Sequence, residues 1–342
     1  MKIVAPVSRL ADIEPSARAG AHEFYCGVVP RQWLSSFGSA NANRRAGGNF
    51  TDLAALEDAV KAAHAAGCTL SLVLNAQQYA PEQATAGLDL AGDFLAMGGD
   101  ALILSDPGMI AALGAAFPQA RLHVSSVATC RNASAVRFYR DLGASRVILP
   151  RDVTIEEATG IAAEVPEVEI EAFVLNDGCV FEEGVCSTIH LPGQLGGPIC
   201  LDRYRPRYHR RDRHPMSQRL EQALAETDRE YARWLWYRFS CGFKTTPEGM
   251  PYGPCGLCAV PAFRAGGLAA VKIAGREGPT LRKVASITMV RRILDAAMQE
   301  LPADRITDMA KNLRPSTEQC ATGYMCYYPE VADERVRPPG PP

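Results

Sequence analysis

The sequence predicts an α/β protein, a (β/α)8 TIM-like barrel with a cysteine-rich insertion between its seventh and eighth strands. Short apolar segments alternate with Ala-rich amphipathic segments through the first half of the chain. Such alternation implies a parallel sheet. The apolar segments number eight in all, which favours a closed barrel over the alternative, an open doubly wound sheet. A long stretch without this pattern precedes the eighth segment and forms the insertion.

The elements follow in order along the chain. Helices are predicted between the strands, for example over 52–66 and 133–142, from their apolar periodicity. Thr51 and Asp52 give one helix start, and Thr154 with Glu157 forms a capping box at another. Glycines stand where helices should end, at Gly67, Gly99 and Gly143. The predicted strands are Ile3–Val7, Glu23–Val28, Thr69–Asn75, Ala101–Ser105, Arg121–Ser126, Arg146–Pro150, Glu169–Asn176 and Ala269–Gly275.

These elements divide the chain into four parts. Residues 1–178 hold the first seven βα units, and residues 179–265 form the cysteine- and arginine-rich insertion. Residues 266–330 supply the last barrel strand, its helix over 281–298 and a C-terminal cysteine segment, and 331–342 are a disordered tail. Because the insertion follows a barrel strand, we expect it over the C-terminal face, where barrel enzymes carry their chemistry.

Composition excludes several classes of protein. The 342 residues are 47% hydrophobic and 22% charged, as in an ordinary globular protein. The 36 basic and 38 acidic residues give a net charge of −2, so bulk charge does not argue for nucleic acid or a membrane. The apolar start is only Ile3–Val7, and no run approaches the ~20 apolar residues of a membrane span. We therefore expect a soluble, cytoplasmic protein.

The cysteines dominate the chemistry that the sequence predicts. Three of the eleven, Cys26, Cys68 and Cys130, lie singly in the barrel half and are read as small buried hydrophobes. The other eight come after residue 178. Thiolates are soft ligands that select zinc or iron–sulfur, and free thiols are the alternative. The spacings of six and thirteen residues match no standard zinc module, which favours iron–sulfur. The eight form two sets, Cys179, Cys186, Cys200 and Cys241, then Cys255, Cys258, Cys320 and Cys326.

Several stretches resemble one family in order. They include the opening IVAPV, then GAHEFYCG, GGDALILSDPGMI, VEIEAFVLNDGCVFEEGVCS and LAAVKIAGREGPTLRKVASITMVRRIL. The chain is similar here to the collagenase-like peptidases of unassigned peptidase family 32, over most of 1–200 and 266–300. Members of that family include oxygen-independent hydroxylases of tRNA, ribosomal RNA or ubiquinone precursors. They hold a [4Fe-4S] cluster and take the hydroxyl oxygen from prephenate.

The resemblance implies a [4Fe-4S] cluster on Cys179, Cys186, Cys200 and Cys241. A second metal site, iron–sulfur or zinc, is predicted at the later four cysteines, which are not part of the family pattern. The large C-terminal extensions of RNA-modifying members are missing here. A small aromatic or metabolite substrate is therefore expected rather than RNA. Some relatives work as heterodimers, which implies a homo- or heterodimer with a related protein.

The leading prediction is an iron–sulfur enzyme that performs oxygen-independent, prephenate-dependent hydroxylation or related redox chemistry. Two alternatives remain, a collagenase-like peptidase and a non-catalytic, metal-stapled protein that binds RNA or a partner. Arginine forks suit a dicarboxylate co-substrate, and His123 is a candidate acid or base. Each arginine could instead pair with its neighbour, Asp152 or Glu277. The candidate catalytic residues are Asn75, His123, Arg151, Arg276 and Glu277.

An arginine-rich run lies in the middle of the insertion. Its composition suits phosphate contacts, an anionic small molecule or a partner protein, and equally a solvated loop. The sequence leaves the role of these side chains open. They are Arg203, Arg205, Arg207, Arg210, Arg211, Arg213 and Arg219.

Overall fold

The computed structural model describes residues 1–37, 43, 47–176, 179, 183–186, 206–236, 244–316 and 318–331. The strands in this part of the chain are β1 (Lys2–Pro6), β2 (Glu23–Val28), β3 (Asn49–Phe50), β4 (Thr69–Leu74), β5 (Ala101–Leu104), β6 (Arg121–Val124), β7 (Ala144–Ile148), β8 (Glu169–Leu175) and β9 (Ala270–Ile273).

The strands form a closed parallel barrel. Their order is β1-β9-β8-β7-β6-β5-β4-β2, and β1 pairs back onto β2. Eight strands therefore close into a ring, and the two-residue β3 pairs with the carboxyl end of β2. The predicted (β/α)8 fold is confirmed. Its strands are buried along almost their whole length, because helices cover the outer face and side chains fill the inside.

The helices surround the barrel and follow their capping signals. Asp52 accepts a hydrogen bond from Ala55 N, and Thr154 and Glu157 form the predicted capping box. Gly67 and Gly143 end helices at positive φ, but at the third predicted end Gly98 has that conformation instead of Gly99. The helices are α1 (Leu10–Arg18), α2 (Arg31–Phe37), α3 (Leu53–Ala65), α4 (Pro81–Ala96), α5 (Pro107–Ala116), α6 (Ala133–Asp141), α7 (Ile155–Glu164), α8 (Gln218–Trp236), α9 (Val260–Ala265), α10 (Thr280–Met298), α11 (Ala303–Asn312) and α12 (Glu318–Ala321).

Charged side chains fill part of the barrel interior. Arg146 of β7, only 1% exposed, donates to Glu23 of β2 at 2.5 Å and to Glu171 of β8 at 3.0 Å. Since β2 and β7 lie on opposite sides of the ring, the first contact spans the interior. Lys272 of β9 donates to the other oxygen of Glu171 at 2.7 Å. Glu23 opens its strand, so the network lies toward the amino-terminal end of the barrel.

The connection from β8 to β9 returns to the barrel before β9 begins. Gly256 N donates to Val174 O and Asn176 N to Pro254 O, so the returning chain runs along the end of β8. Segment 325–327 then pairs with Cys255. The C-terminal segment is thus attached to β8 through the returning chain.

The predicted elements differ from the observed ones in detail. β3 was not predicted, because two residues carry no periodicity, so the insertion lies between β8 and β9 in the observed numbering. The predicted strand ends at Asn75, Ser105 and Asn176 lie just outside the strands. The tail over 332–342 lies outside the described residues. In the described part of the chain, no helix has the length and apolar character to cross a membrane.

Candidate functional site

The carboxyl ends of the barrel strands form a polar mouth. A parallel barrel brings these ends to one face, and barrel enzymes use that face for chemistry. The mouth residues each follow a different strand, from β4 to β9. They are Asn75, Ser105, Ser125, Arg151, Asn176 and Arg276.

One side of the mouth carries buried amide and hydroxyl groups. Asn75 Nδ2 donates to Ser125 Oγ at 3.1 Å. Within the described residues, Asn75 Oδ1 and Ser105 Oγ are buried and have no hydrogen-bond partner. An unsatisfied buried polar atom is costly, and such atoms are commonly completed by water or a ligand. These two groups are therefore ready to bind the polar edge of a ligand.

Arg276 is held on the opposite side by two asparagines. Its Nη2 donates to Asn43 Oδ1 at 3.0 Å and its Nη1 to Asn49 Oδ1 at 3.2 Å. A Cβ on Gly27 would lie 2.1 Å from Asn49 Oδ1 and 2.2 Å from Arg276 Nη1. Only glycine leaves room for this arrangement, which fixes the guanidinium in a buried position.

The contacts that the structure gives Glu277 do not include the alternative ion pair with Arg276. The side chain is exposed, and its Oε1 accepts a hydrogen bond from Gly47 N at 3.3 Å. Glu277 therefore contacts the connection between β2 and β3. Its predicted catalytic role stays a prediction.

Arg151 lies over an aromatic ring. Its guanidinium carbon is 3.9 Å from the centre of the Phe173 ring. The neighbouring Asp152 instead pairs with Arg131 at 2.9 Å. Arg151 and Arg276 follow β7 and β9, with only β8 between them in the ring. The mouth thus has two cationic side chains on nearly adjacent strands.

His123 does not lie at the mouth. It is buried inside the barrel on β6, in register with Arg146 of β7. Burial and the neighbouring Arg146 lower the pKa of His123 well below its ordinary value. The side chain is therefore neutral near pH 7, which corrects the expectation of an acid or base tuned to neutral pH.

Part of the cysteine-rich insertion packs over the mouth. Gln77 Nε2, just after β4, donates to Gly184 O at 2.5 Å. A Cβ on Gly184 would lie 2.1 Å from Thr129 Cγ2 and 2.5 Å from Val127 O, in the loop after β6. Segment 183–185, which leads into Cys186, is therefore seated between the loops that follow β4 and β6.

The first cysteine set is only partly described. Cys179 and Cys186 are half-buried, whereas Cys200 and Cys241 lie outside the described residues. Cys26, Cys68 and Cys130 are buried free thiols, as predicted. In the described part of the chain, no group of three or more His, Cys, Asp or Glu side chains is arranged around a single metal ion. The cluster on these four cysteines stays a prediction.

The second cysteine set is described completely, and the fold brings its members together. The backbones of Cys255 and Cys326 pair in an isolated parallel β-bridge, which joins two chain segments. Burial, and after it the charges of Cys255, Cys320 and Cys326, raise the pKa of the Cys258 thiol. In the part of the chain that the structure describes, no group of three or more His, Cys, Asp or Glu side chains could hold a metal ion. The second metal site stays a prediction.

The structure describes five arginine side chains of the arginine-rich run, and all five are exposed. Arg210 pairs with Asp212. Arg203 and Arg205 lie outside the described residues. The run presents the exposed guanidinium groups of Arg207, Arg210, Arg211, Arg213 and Arg219.

Fold and site together define a (β/α)8 barrel of the kind whose active sites are built at the carboxyl-terminal mouth. The chain matches the family model described as Peptidase family U32 over residues 8–335. It therefore belongs to the U32 peptidase family.

Curated relatives in this family carry names from RNA hydroxylation. The chain is 32% identical over 185 residues to tRNA hydroxylation protein P of Escherichia coli K12, covering 54% of this chain and 38% of that protein. It is 24% identical to tRNA hydroxylation protein P1 of Bacillus subtilis 168, over 86% of this chain and 63% of that one. It is 28% identical to the 23S rRNA 5-hydroxycytidine C2501 synthase of E. coli K12, over 44% of this chain and 22% of the synthase. Each match spans less than two thirds of the relative's length.

Proposed function

We propose that this protein is a hydroxylase that modifies a nucleobase in RNA at the mouth of its barrel. The observation that carries the proposal is the mouth itself. Unpaired polar groups at Asn75 and Ser105 face a site that also holds Arg151 and Arg276, in a family whose curated relatives are named for RNA hydroxylation.

The proposal replaces the small-metabolite preference with RNA. The relatives' names refer to tRNA and 23S rRNA. A nucleobase is itself a small aromatic ring, and modifying enzymes reach it in single-stranded RNA or by turning it out of a helix. A mouth that suits a small aromatic substrate therefore also suits a base. The matched regions cover only part of each relative, 38% of one and 63% of another, so the RNA substrate is carried over to this chain only as a proposal.

In this proposal, some mouth residues bind the base and others bind the co-substrate. Asn75 Oδ1 accepts from, and Ser105 Oγ donates to, the polar edge of the base. Arg151 and Arg276 bind the carboxylates of a dicarboxylate co-substrate such as prephenate, since guanidinium forks grip carboxylates in two places. The asparagine pair at Asn43 and Asn49 holds Arg276 in place for that contact.

An iron–sulfur cluster belongs to the proposal through the first cysteine set. Thiolates are the ligands that such clusters prefer, and Cys186 follows a segment seated over the mouth. Cys179, Cys186, Cys200 and Cys241 would hold the group. When bound, it would supply a redox-active centre beside the mouth.

The arginine-rich run contributes to RNA binding rather than to chemistry. Five exposed guanidinium groups over 207–219 suit phosphate contacts, which carry affinity without sequence information. Binding of RNA should therefore weaken steeply as salt rises.

The test compares RNA from cells that lack the gene with RNA from cells in which it is restored. Nucleosides from digested tRNA and rRNA are measured by mass spectrometry. We expect one nucleoside to gain an oxygen atom in the restored cells. Arg276→Gln should lower that signal by roughly 10- to 100-fold, the loss expected for one charge-assisted contact.

The matched control is Arg264→Gln, which removes an exposed guanidinium from α9 on the outer helix layer. It should restore the modified nucleoside fully. If wild-type protein restores no modified nucleoside in either RNA fraction, the proposed function is wrong.

A further inference from the structure

We propose that Asn176 is a specificity-determining residue of the mouth, whose side-chain oxygen accepts a hydrogen bond from a hydroxyl group on the dicarboxylate co-substrate. The inference rests on the proposed function, in which Arg151 and Arg276 bind the two carboxylates. It adds that the co-substrate is a hydroxylated dicarboxylate, and that the mouth binds dicarboxylates without this hydroxyl group more weakly.

Asn176 stands between the two arginines in the ring. It follows β8 directly, whereas Arg151 follows β7 and Arg276 follows β9. The three strands are neighbours in the order β7-β8-β9. Because the carboxyl ends of parallel strands meet at one face, the three residues occupy successive positions around the mouth. A ligand whose carboxylates contact both arginines therefore lies across the position of Asn176.

The backbone of Asn176 is held from both sides. Its N donates to Pro254 O at 2.8 Å, and its O accepts a hydrogen bond from Tyr327 Oη. Its φ of 67° lies in the left-handed region, which asparagine adopts more readily than most residues. The residue is only 2% exposed. The side chain therefore starts from a fixed and buried position.

A serine determines which way the amide of Asn176 points. Asn176 Nδ2 donates to Ser286 Oγ at 2.9 Å. Ser286 Oγ donates its own proton to Arg282 O at 2.7 Å, one turn earlier in α10. The hydroxyl group can therefore only accept from Asn176, and a reversed amide would bring two acceptors together. The nitrogen is thus fixed toward α10, and the oxygen lies on the other side of the amide.

The side-chain oxygen of Asn176 lacks a donor. Within the residues that the structure describes, Asn176 Oδ1 is buried and has no hydrogen-bond partner. The N, O and Nδ2 atoms of the same residue are all hydrogen-bonded. An unsatisfied buried carbonyl oxygen costs free energy, which a donor group on a ligand recovers. Asn176 is therefore prepared to accept one hydrogen bond from a ligand.

The neighbouring charges determine which donor suits this oxygen. Guanidinium groups attract carboxylate oxygens, and those oxygens only accept hydrogen bonds. A carboxylate or ketone oxygen placed against Asn176 Oδ1 would oppose it, because both atoms are acceptors. An ammonium group would donate, but it would add a positive charge beside Arg151 and Arg276. A hydroxyl group donates without that charge, so it is the group that fits between the two arginines.

The nucleobase is assigned to the other side of the mouth. Asn75 and Ser105, which bind the base in the proposed function, follow β4 and β5. In the ring, three strands separate β4 from β8 in either direction, so Asn75 and Asn176 follow opposite strands. The hydrogen bond from Asn176 is therefore assigned to the co-substrate and not to the base.

The test measures binding of small dicarboxylates to the purified full chain by isothermal titration calorimetry, without RNA. Two matched pairs are used, malate with succinate and 2-hydroxyglutarate with glutarate, since the members of each pair differ by one hydroxyl group. We expect wild type to bind the hydroxylated member of at least one pair roughly 5- to 100-fold more tightly. Asn176→Gly should bind both members equally. Glycine suits this variant because it adopts a positive φ without strain.

Two further variants separate this role from a structural one. Asn312→Gly is the matched control, because it removes an exposed asparagine at the end of α11, and it should keep the wild-type preference. Ser286→Ala leaves Asn176 in place but frees its amide to turn. It should reduce the preference for the hydroxylated member while binding the other member as wild type does. This variant also serves if Asn176→Gly does not fold.

The outcomes distinguish this proposal from the proposed function. Equal binding of both members of each pair by wild type, no binding of any of the four acids, or an unchanged preference in Asn176→Gly or Ser286→Ala would each overturn the role of Asn176. A preference that is present in wild type and absent in Asn176→Gly supports that role, even if the RNA of the restored cells carries no modified nucleoside. In that case only the hydroxylation of RNA would be wrong.

Discussion

Arg146 is the side chain on which the barrel interior most depends. It is 1% exposed and bonds to Glu23, Glu169 and Glu171. A buried ion pair adds little net stability compared with a well-packed apolar pair. Removing one partner is different, because it leaves charge buried without compensation.

We expect Arg146→Met to lower the free energy of unfolding by about 3–5 kcal/mol. Three carboxylates would lose their buried partner, and Glu171 would keep only Lys272. Urea denaturation at pH 7 measures the change. Arg137→Met is the control, since Arg137 pairs with Glu164 at the surface, and it should cost at most about 1 kcal/mol. Similar costs for both variants would contradict the role given to Arg146.

Glu23 makes the free energy of unfolding depend on pH in the acidic range. Burial alone would raise the pKa of Glu23, but the hydrogen bond and charge of Arg146, then those of Lys2, outweigh it and lower the pKa from 4.5 to about 2. The unfolded carboxyl binds protons at a higher pH than the folded one. Its contribution is therefore complete above about pH 5 and is lost as the pH falls through 2.

Wild type should accordingly lose up to about 3 kcal/mol of stability from this group between pH 5 and pH 2, because folding lowers its pKa from 4.5 to about 2. Glu23→Gln should be less stable at pH 7 and show a flatter dependence over that range. Unfolding free energies measured at several pH values test this. An equally steep dependence in the variant would show that other carboxyls cause it.

For single residues, the sequence predicted which side chains lie at the mouth better than it predicted which side chains they contact. Asn75, Arg151 and Arg276 were found because a strand end in a barrel always reaches the mouth. Asn43 and Asn49 were not, since neither Asn43 nor the two-residue β3 that begins at Asn49 belongs to a periodic pattern, and both reach Arg276 only because the barrel closes. The pKa of His123 was misjudged because the side chain is buried inside the barrel and its neighbour Arg146 lies on the next strand.

Segment 183–185 determines how the cysteine-rich insertion is attached to the barrel. Gly184 has no room for a side chain against Thr129 and Val127. Gly184→Ala should push the segment away from the mouth and lower the iron bound by the proposed cluster at Cys179 and Cys186. Iron per chain after reconstitution measures this, and we expect a loss of several-fold.

Gly160→Ala provides the control for that substitution. Gly160 lies within α7 and has no atom within 4 Å of a Cβ built on it. Alanine there should leave the iron content unchanged and stabilise the helix by up to about 1 kcal/mol. If Gly184→Ala also retained its full iron, the packing of segment 183–185 against the mouth would have no role in metal binding.

The regular elements were largely readable in the sequence, and the irregular contacts were not. Apolar runs and capping residues placed the eight barrel strands and helices such as α3 and α10 within a few residues. The docking of 325–327 on Cys255 depends on backbone pairing between distant segments, which no local pattern encodes. The cysteine spacings could therefore suggest a metal site, but they could not show that the segments at Cys255 and Cys326 meet.

At the scale of the whole molecule, barrel, insertion and C-terminal segment meet at one face. β8 connects them, since it ends directly before Asn176, leads to Cys179 and pairs with the returning chain at Cys255. Family membership covers 8–335, so the match includes all three parts. The predicted dimer with a related protein stays a prediction.

Oxygen transfer to RNA by the purified protein tests the central claim most directly. Iron-loaded full chain is incubated without oxygen with RNA from cells lacking the gene, with and without prephenate, and with a collagen-like peptide in parallel. We predict that one nucleoside gains an oxygen atom when prephenate is present and that the peptide stays intact. Unchanged RNA together with a cleaved peptide would contradict the account and return the protein to the peptidase alternative.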